Sequence, residues 1–285
     1  MKNKQEIINR VHKLHENLGR RPKKRDDGNL HNLAKRTFGS WNSLMKVAGY
    51  DVKFYQKIKD VPLNEDVAYF IGLVVTDGHI VYNKIKKRYM VAVYTSFLEE
   101  KTMLIDFIRK NFGYSPNFRS RIYGFSKNPN YEIRINSKRL VEVFVDEFGL
   151  IAGPKSLITD IPLAIKESKN PLIKASFLRG VIDGDGSVLR ESIKIASGSK
   201  ILLHELKDMF KEFGIYSGRI IKDNKKTNTY AIRICRKDDL AMLNSILYPK
   251  EDCFCYVRKK EKFKTNRFKY KSEIGILNPR LAQIH

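Results

Sequence analysis

The hydrophobic positions of this chain repeat themselves at long range. Phe70-Ile71-Gly72-Leu73-Val74-Val75-Thr76-Asp77-Gly78 and Leu178-Arg179-Gly180-Val181-Ile182-Asp183-Gly184-Asp185-Gly186 are both apolar segments with a glycine in the middle and an Asp-Gly ending. Elsewhere the apolar residues alternate. In Glu132-Ile133-Arg134-Ile135-Asn136 the isoleucines take one face and the polar groups the other, the period of a half-buried strand. Arg119, Arg121 and Tyr123 alternate in the same way, as do Ala231, Arg233 and Cys235 against Ile232 and Ile234.

The repeat continues beyond the two apolar segments. Phe112-Gly113 returns as Phe213-Gly214, and Tyr131-Glu132-Ile133-Arg134-Ile135 returns as Tyr230-Ala231-Ile232-Arg233-Ile234. Each copy reads as helix, two strands, helix, two strands, helix. The first has strands near 79–85 and 88–96, a helix near 98–112, strands near 117–125 and 130–136, and a helix near 137–148. The second has strands near 187–191 and 193–198, a helix near 200–213, strands near 218–223 and 229–235, and a helix near 237–247. The expected organisation is a module over 1–55, repeats over 56–165 and 166–270, and a tail over 271–285.

A glycine inside an apolar helix costs roughly 1 kcal/mol against alanine, and close approach of two helix backbones is a reason to keep it. Gly72 and Gly180 are therefore expected to face each other. Glycine also suits the left-handed residue that closes a helix, which places Asp77 and Asp185 at helix C-termini, where the macrodipole disfavours an anion. Asp-Gly alone is also a hairpin signal, but its repetition favours two carboxylates brought together. Converging carboxylates suit Mg²⁺, which takes oxygen ligands and keeps water and phosphate oxygens in its shell.

With 285 residues and 42% hydrophobic residues the chain has ample material for a core. Its formal net charge of +24 points to a polyanionic partner, nucleic acid before membrane. Both ends are the more basic parts: residues 1–60 carry net +9 and residues 256–285 net +7, as arms flanking a long duplex would. No apolar run is long enough to span a membrane, and the start Met1-Lys2-Asn3-Lys4-Gln5-Glu6 lacks a signal core, so a soluble intracellular protein, in cytoplasm, nucleoid or an organelle, is expected. Cys235, Cys253 and Cys255 lack zinc spacing, and His12, His15 and His31 read as packed or solvated side chains.

The paired apolar motifs closely resemble those of LAGLIDADG homing endonucleases in their single-chain, two-repeat form. Val75 departs from the pattern where the family has its first Asp, while the second copy keeps Asp183. The resemblance implies an α+β fold of two pseudo-symmetric αββαββα repeats with saddle-shaped antiparallel sheets, and metal binding by Asp77 and Asp185. It also implies a catalytic-centre lysine after each repeat. Lys155 in Gly153-Pro154-Lys155-Ser156 and Lys259 in Tyr256-Val257-Arg258-Lys259-Lys260 stand in the matching places, with Arg258 and Lys260 as adjacent candidates.

Asn17-Leu18-Gly19-Arg20-Arg21-Pro22, Phe38-Gly39-Ser40-Trp41-Asn42-Ser43-Leu44 and Ala48-Gly49-Tyr50 resemble the small helical repeat found beside homing endonucleases. Its helices are expected near 4–18, 28–37 and 40–48, with Trp41, Leu44 and Val47 on one core-facing side. Its loop residues Arg20, Arg21, Lys23, Lys24 and Arg25 are expected to contact DNA phosphates. In the sheets, Arg119, Arg121, Tyr123, Arg134, Lys194, Lys222 and Arg233 are expected on DNA, where arginine reads guanine edges.

The reading is a monomeric, Mg²⁺-dependent, site-specific double-strand DNA endonuclease. The resemblance implies a long asymmetric target, short 3′ overhangs and a role in mobility of a host intron or element. One alternative is a non-cleaving nucleic-acid-binding protein on the same scaffold, a maturase acting on RNA or a transcription factor. An intein is set aside, since the chain starts Met1-Lys2 and ends Gln283-Ile284-His285 without splicing residues.

Overall fold

The computed structural model describes residues 4–50, 58, 60–122, 129–223 and 228–265; Tyr123 and the 271–285 tail lie outside the described residues. Two compact units divide at residues 56 and 57. The first holds α1 (Lys4–Leu18), α2 (Gly28–Phe38) and α3 (Trp41–Val47). Asp27 caps α2 by accepting from the Leu30 N–H at 2.9 Å, and Ser40 caps α3 by accepting from the Ser43 N–H at 3.0 Å. Ile7, Val11, Leu30, Ala34, Trp41, Leu44, Met45 and Ala48 form its core. Val47, expected beside Trp41 and Leu44, is instead 59% exposed. The buried positions of α3 run 41, 44, 45 and 48, and residue 47 falls off that stripe at 3.6 residues per turn.

The second unit begins its repeat with α4 (Glu65–Asp77), followed by β1 (Gly78–Asn83), β2 (Arg88–Thr95), α5 (Leu98–Phe112), β3 (Asn117–Arg121), β4 (Asn130–Ile135) and α6 (Lys138–Glu142). A π-helical turn, Val143–Glu147, prolongs α6. After α7 (Leu163–Lys166) the order returns: α8 (Pro171–Asp185), β5 (Gly186–Val188), β6 (Ile193–Ser197), α9 (Lys200–Glu212), β7 (Ile221–Lys222), β8 (Tyr230–Ile234) and α10 (Lys237–Leu247). Helix α11 (Val257–Thr265) follows, and the candidate Lys259 lies on it. The sheets are antiparallel with matching orders, β1-β2-β4-β3 and β5-β6-β8-β7. Ile133, Ile135, Ile232 and Ile234 turn to the core as their alternation requires. Ala231 is fully buried, although it shares the alternate parity with exposed Arg233 and Cys235. Among the described residues no helix is long and apolar enough to cross a membrane.

Helices α4 and α8 form the seam between the repeats. Both start on an asparagine cap: Asn64 accepts from the Val67 N–H at 2.9 Å and Asn170 from the Leu172 N–H at 2.9 Å, with Pro171 in the first turn. Both are buried almost all round, so each needs partners on every side. The glycines make their contact possible. A Cβ on Gly72 would stand 2.8 Å from the Val181 nitrogen and 2.9 Å from the Gly180 Cα, and one on Gly180 would strike the Tyr69 carbonyl. The same stacking recurs lower on the seam, where a Cβ on Gly184 would fall 2.6 Å from the Thr76 Cβ.

Gly78 and Gly186 serve a different purpose from the one expected of them. Neither is left-handed: φ is −109° at Gly78 and −76° at Gly186, both with extended ψ. The chain passes straight from helix to strand at these points, and a side chain would collide with the last helical turn, at the Val74 backbone or 2.8 Å from the Ile182 Cα.

Gly180→Leu is expected to force the seam apart. Overpacking costs about 1–3 kcal/mol or more, and a unit of this size loses roughly 2–4 °C of melting temperature per kcal/mol. Calorimetry or thermal denaturation checks this; an unchanged melting temperature contradicts backbone contact at the seam.

Candidate active site

The last residues of α4 and α8 place Asp77 and Asp185 at the lower end of the seam, both half-buried. The two helix ends meet at one junction: a Cβ on Gly184, next to Asp185, would come 3.4 Å from the Asp77 Oδ2. Burial raises the Asp77 carboxyl above its ordinary range, against the pull of Lys259 and Lys155. Asp185 is pushed up to about 7, by burial first and by the neighbouring Asp77 carboxylate second. Burial makes both carboxylates costly to ionise, and Asp77 adds to that cost at Asp185, which a bound cation would offset.

Each helix end also receives a lysine. Lys155 Nζ donates to the Val75 carbonyl and, at 3.3 Å, to that of Thr76. Lys259 Nζ is enclosed by four carbonyls, those of Ile182 (2.8 Å), Asp183 (2.5 Å), Gly184 (2.9 Å) and Gly186 (2.7 Å). Burial lowers both lysines to about 8, so at neutral pH both carry the charge that carbonyl oxygens and carboxylates attract. They cap the helices against the unpaired carbonyls and the macrodipole, and they sit beside the acids. The neighbours of Lys259 are committed elsewhere. Arg258 pairs with Glu100 at 3.0 Å and lies over the Phe97 ring, while Lys260 donates to the Glu251 carbonyl at 2.7 Å.

Behind this site is a buried polar network that the sequence did not announce as functional. Asp183 accepts from the Tyr69 hydroxyl at 2.8 Å and from the Tyr256 N–H at 2.7 Å, tying α4, α8 and the start of α11 together. Burial pushes it up to about 7 against those two hydrogen bonds and the attraction of Lys259 and Arg179. Arg179 donates to the Leu247 carbonyl at 2.8 Å and the Phe254 carbonyl at 3.0 Å, with its guanidinium over Tyr69. An arginine inside an otherwise apolar helix was the available signal. Val75, on the other seam helix, occupies the position matching Asp183 and carries no such network.

Two half-buried carboxylates, as hard oxygen donors, fit a divalent metal. Among the described residues no group of three or more His, Cys, Asp or Glu could hold a metal, so the protein's share would be these two carboxylates, with water and substrate oxygens completing the shell. His12 and His15 lie against Tyr50, and His31 against Trp41, where they pack.

The sheet residues are distributed as follows. Arg119, Arg121 and Arg134 share the side of the first sheet turned from its helices, as the registers Arg119↔Glu132 and Asn117↔Arg134 require. All of β3 is exposed, but Arg134 is held by an ion pair with Glu132. On the second sheet Lys194 and Arg233 are directly paired on the equivalent side, and Lys194 meets Asp223 at 3.1 Å. Lys222 is different: it pairs with Tyr230, whose parity is that of Ile232 and Ile234, so it belongs to the helix side. In the N-terminal unit Arg21, Lys23, Lys24 and Arg25 are exposed. Arg20 makes a two-pronged contact with Asp26 at 2.8 and 3.0 Å and holds that carboxyl down at about 2, fixing the turn.

Residues 173–247 match the LAGLIDADG-like domain family, and residues 2–51 match the homing endonuclease associated repeat. Replication factor C small subunit of Methanocaldococcus jannaschii is 28% identical over 191 residues, 66% of this chain and 10% of that protein. The chain thus spans about a tenth of the length of the curated relative it matches. Among solved structures, I-DmoI in complex with DNA and Mn aligns at 18% identity and a TM-score of 0.50, covering 66% of this chain and 98% of that one. I-WcaI bound to its DNA recognition sequence aligns at 14% identity and a TM-score of 0.53, covering 72% and 88%. At these identities the structural likeness is one of fold. The segment over 173–247 is thus similar to the LAGLIDADG-like domain and the N-terminal segment to the homing endonuclease associated repeat, alongside the paired seam motifs and the two matching sheets.

Proposed function

We propose that this chain is a site-specific endonuclease that hydrolyses phosphodiester bonds in both strands of duplex DNA with Mg²⁺, acting as a monomer on a long asymmetric target. The observation that supports this most directly is the meeting of Asp77 and Asp185 at the end of a glycine-lined seam, each with a lysine alongside. Bound there, a divalent ion would supply Lewis-acid polarisation of a phosphoryl oxygen and a more acidic water. The chain's own part is to hold the two carboxylates and to place Lys155 and Lys259, whose charge favours a phosphate and its developing negative charge. Arg119, Arg121, Arg134, Lys194 and Arg233 provide a polar face for groove contacts, and the exposed cations of the N-terminal loop provide phosphate contacts.

Asp77→Asn and Asp185→Asn are each expected to abolish double-strand cleavage while DNA binding in Ca²⁺ persists. The loss should exceed the roughly 10- to 100-fold typical of removing a partner behind a metal ligand. The assay is plasmid cleavage across a library of candidate insertion junctions. Wild-type cleavage by either variant would remove the two-carboxylate mechanism, and absence of cleavage by the wild type would favour a binding protein.

The same carboxylates predict a pH dependence of stability. An unfolded aspartate titrates near 3.9, whereas Asp185 in the fold titrates at about 7, so the folded state holds its proton more tightly. Its contribution therefore favours folding at low pH and is lost as pH rises from about 4 to about 7. In chelator at pH above that window, Asp185→Asn should melt at or above the wild type, and added Mg²⁺ should raise the melting temperature of the wild type more. Parallel melting curves against pH for the two proteins would contradict this account.

A further inference from the structure

A basic cleft of about 310 Å³ lies on the helix side of the second sheet, opposite the face that carries Lys194 and Arg233. Lys200, His204 and Lys207 line it from α9, Arg219 and Lys222 from the region of β7, and Tyr230 forms its floor with the Lys200 Nζ 4.3 Å from the ring centroid. The three α9 residues stand four and three apart, so they make one stripe along the helix. Among the described residues, no Asp or Glu lines the cleft.

The first repeat is an internal control for whether the fold itself demands these cations. Aligned through Phe112-Gly113 and Phe213-Gly214, the α9 stripe corresponds to Glu99, Met103 and Asp106 on α5, Arg219 to Phe118 and Lys222 to Arg121, so only the last is basic in both. There a single lysine, Lys101, covers the Phe118 and Tyr131 rings at 4.4 and 5.2 Å. The aromatic floor and one lysine over it are common to both repeats, whereas His204, Lys207 and Arg219 have no basic counterpart in the first. Structure does not require them, so a ligand is the better reason.

We infer that this cleft holds backbone phosphates of the DNA duplex as it passes the outer edge of the second sheet. The inference rests on the DNA-binding reading above. Strand β7 is the edge strand and is two residues long. Lys222 and Asp223 are consecutive, yet Lys222 faces the cleft and Asp223 meets Lys194 on the other side, so only the thickness of one strand separates the two surfaces. A duplex presents a phosphate about every 3.4 Å of axis on each strand, and a lysine stem reaches around such an edge with its ammonium in water. Four permanent cations suit a phosphodiester backbone, and Ile220 with the Tyr230 ring supplies the rest of the wall. Contacts of this kind set register and affinity without reading sequence.

The test uses the full chain with Lys200→Gln and Lys207→Gln combined, both on the surface of α9. Binding of a labelled random-sequence duplex is measured over a range of KCl. Each phosphate contact contributes about 0.9 to the slope of log K against log salt, so the double variant should lose about 1.8 of slope while keeping the wild-type melting temperature. In a parallel arm, ATP is added without DNA and the melting temperature is read. A steep wild-type slope that the variant fully retains overturns the cleft assignment alone. ATP stabilisation that the variant loses, with the duplex slope unchanged, overturns it in favour of a free nucleotide. A wild type that does not bind the duplex at all overturns the DNA reading, and this inference with it.

Discussion

The structure depends on backbone meeting backbone at Gly72 and Gly180. Two helices that are apolar on nearly every side must be buried, and here each supplies much of the other's cover. With the Gly180 Cα 2.9 Å from where a Gly72 Cβ would be, no side chain can enter, so the axes approach as closely as main chains permit. Everything else is placed by extension of these helices. Their C-termini carry the acids, and the strands that begin at Gly78 and Gly186 leave without any intervening loop. Each sheet and the candidate metal site are therefore joined by continuous backbone, one residue apart.

That geometry creates an electrostatic problem, which the lysines answer. Helix C-termini present unpaired carbonyls and the negative end of the dipole, the least suitable place for two carboxylates. Lys155 and Lys259 put ammonium groups onto those carbonyls, within the field of both acids. The two are not equal. Lys259 is buried among four carbonyls and backed by Asp183, whereas Lys155 is half-buried and holds two.

The fold was legible in the sequence because its information is periodic. Apolar runs with a central glycine mark the seam, alternation at Ile133, Ile135, Ile232 and Ile234 marks the sheets, and the return of the same phrases marks the duplication. Asp77 and Asp185 were legible through that same return. What periodicity does not carry was missed or misread. Val47 has nearly helical spacing from Trp41, but one residue of phase puts it in solvent. Gly78 and Gly186 carry no mark that distinguishes a collision with the preceding turn from a left-handed cap. The roles of Asp183 and Arg179 depend on partners 68 to 114 positions away, such as the Leu247 carbonyl and the Tyr69 hydroxyl. Lys222 turned away from Lys194 because strand parity follows register, which the short β7 leaves unmarked in sequence.

The pairing of Thr76 with Gly184 sets a limit on symmetry. Thr76 donates to the Gly72 carbonyl at 2.9 Å and fills the space that a side chain at 184 would need. Two copies of the first repeat, docked through the same seam, would set one threonine against another where the chain now has threonine against nothing. At this contact the second half therefore cannot be replaced by a duplicate of the first. The asymmetry of this part of the seam thus lies in a single pair of positions, threonine on one helix and glycine on the other.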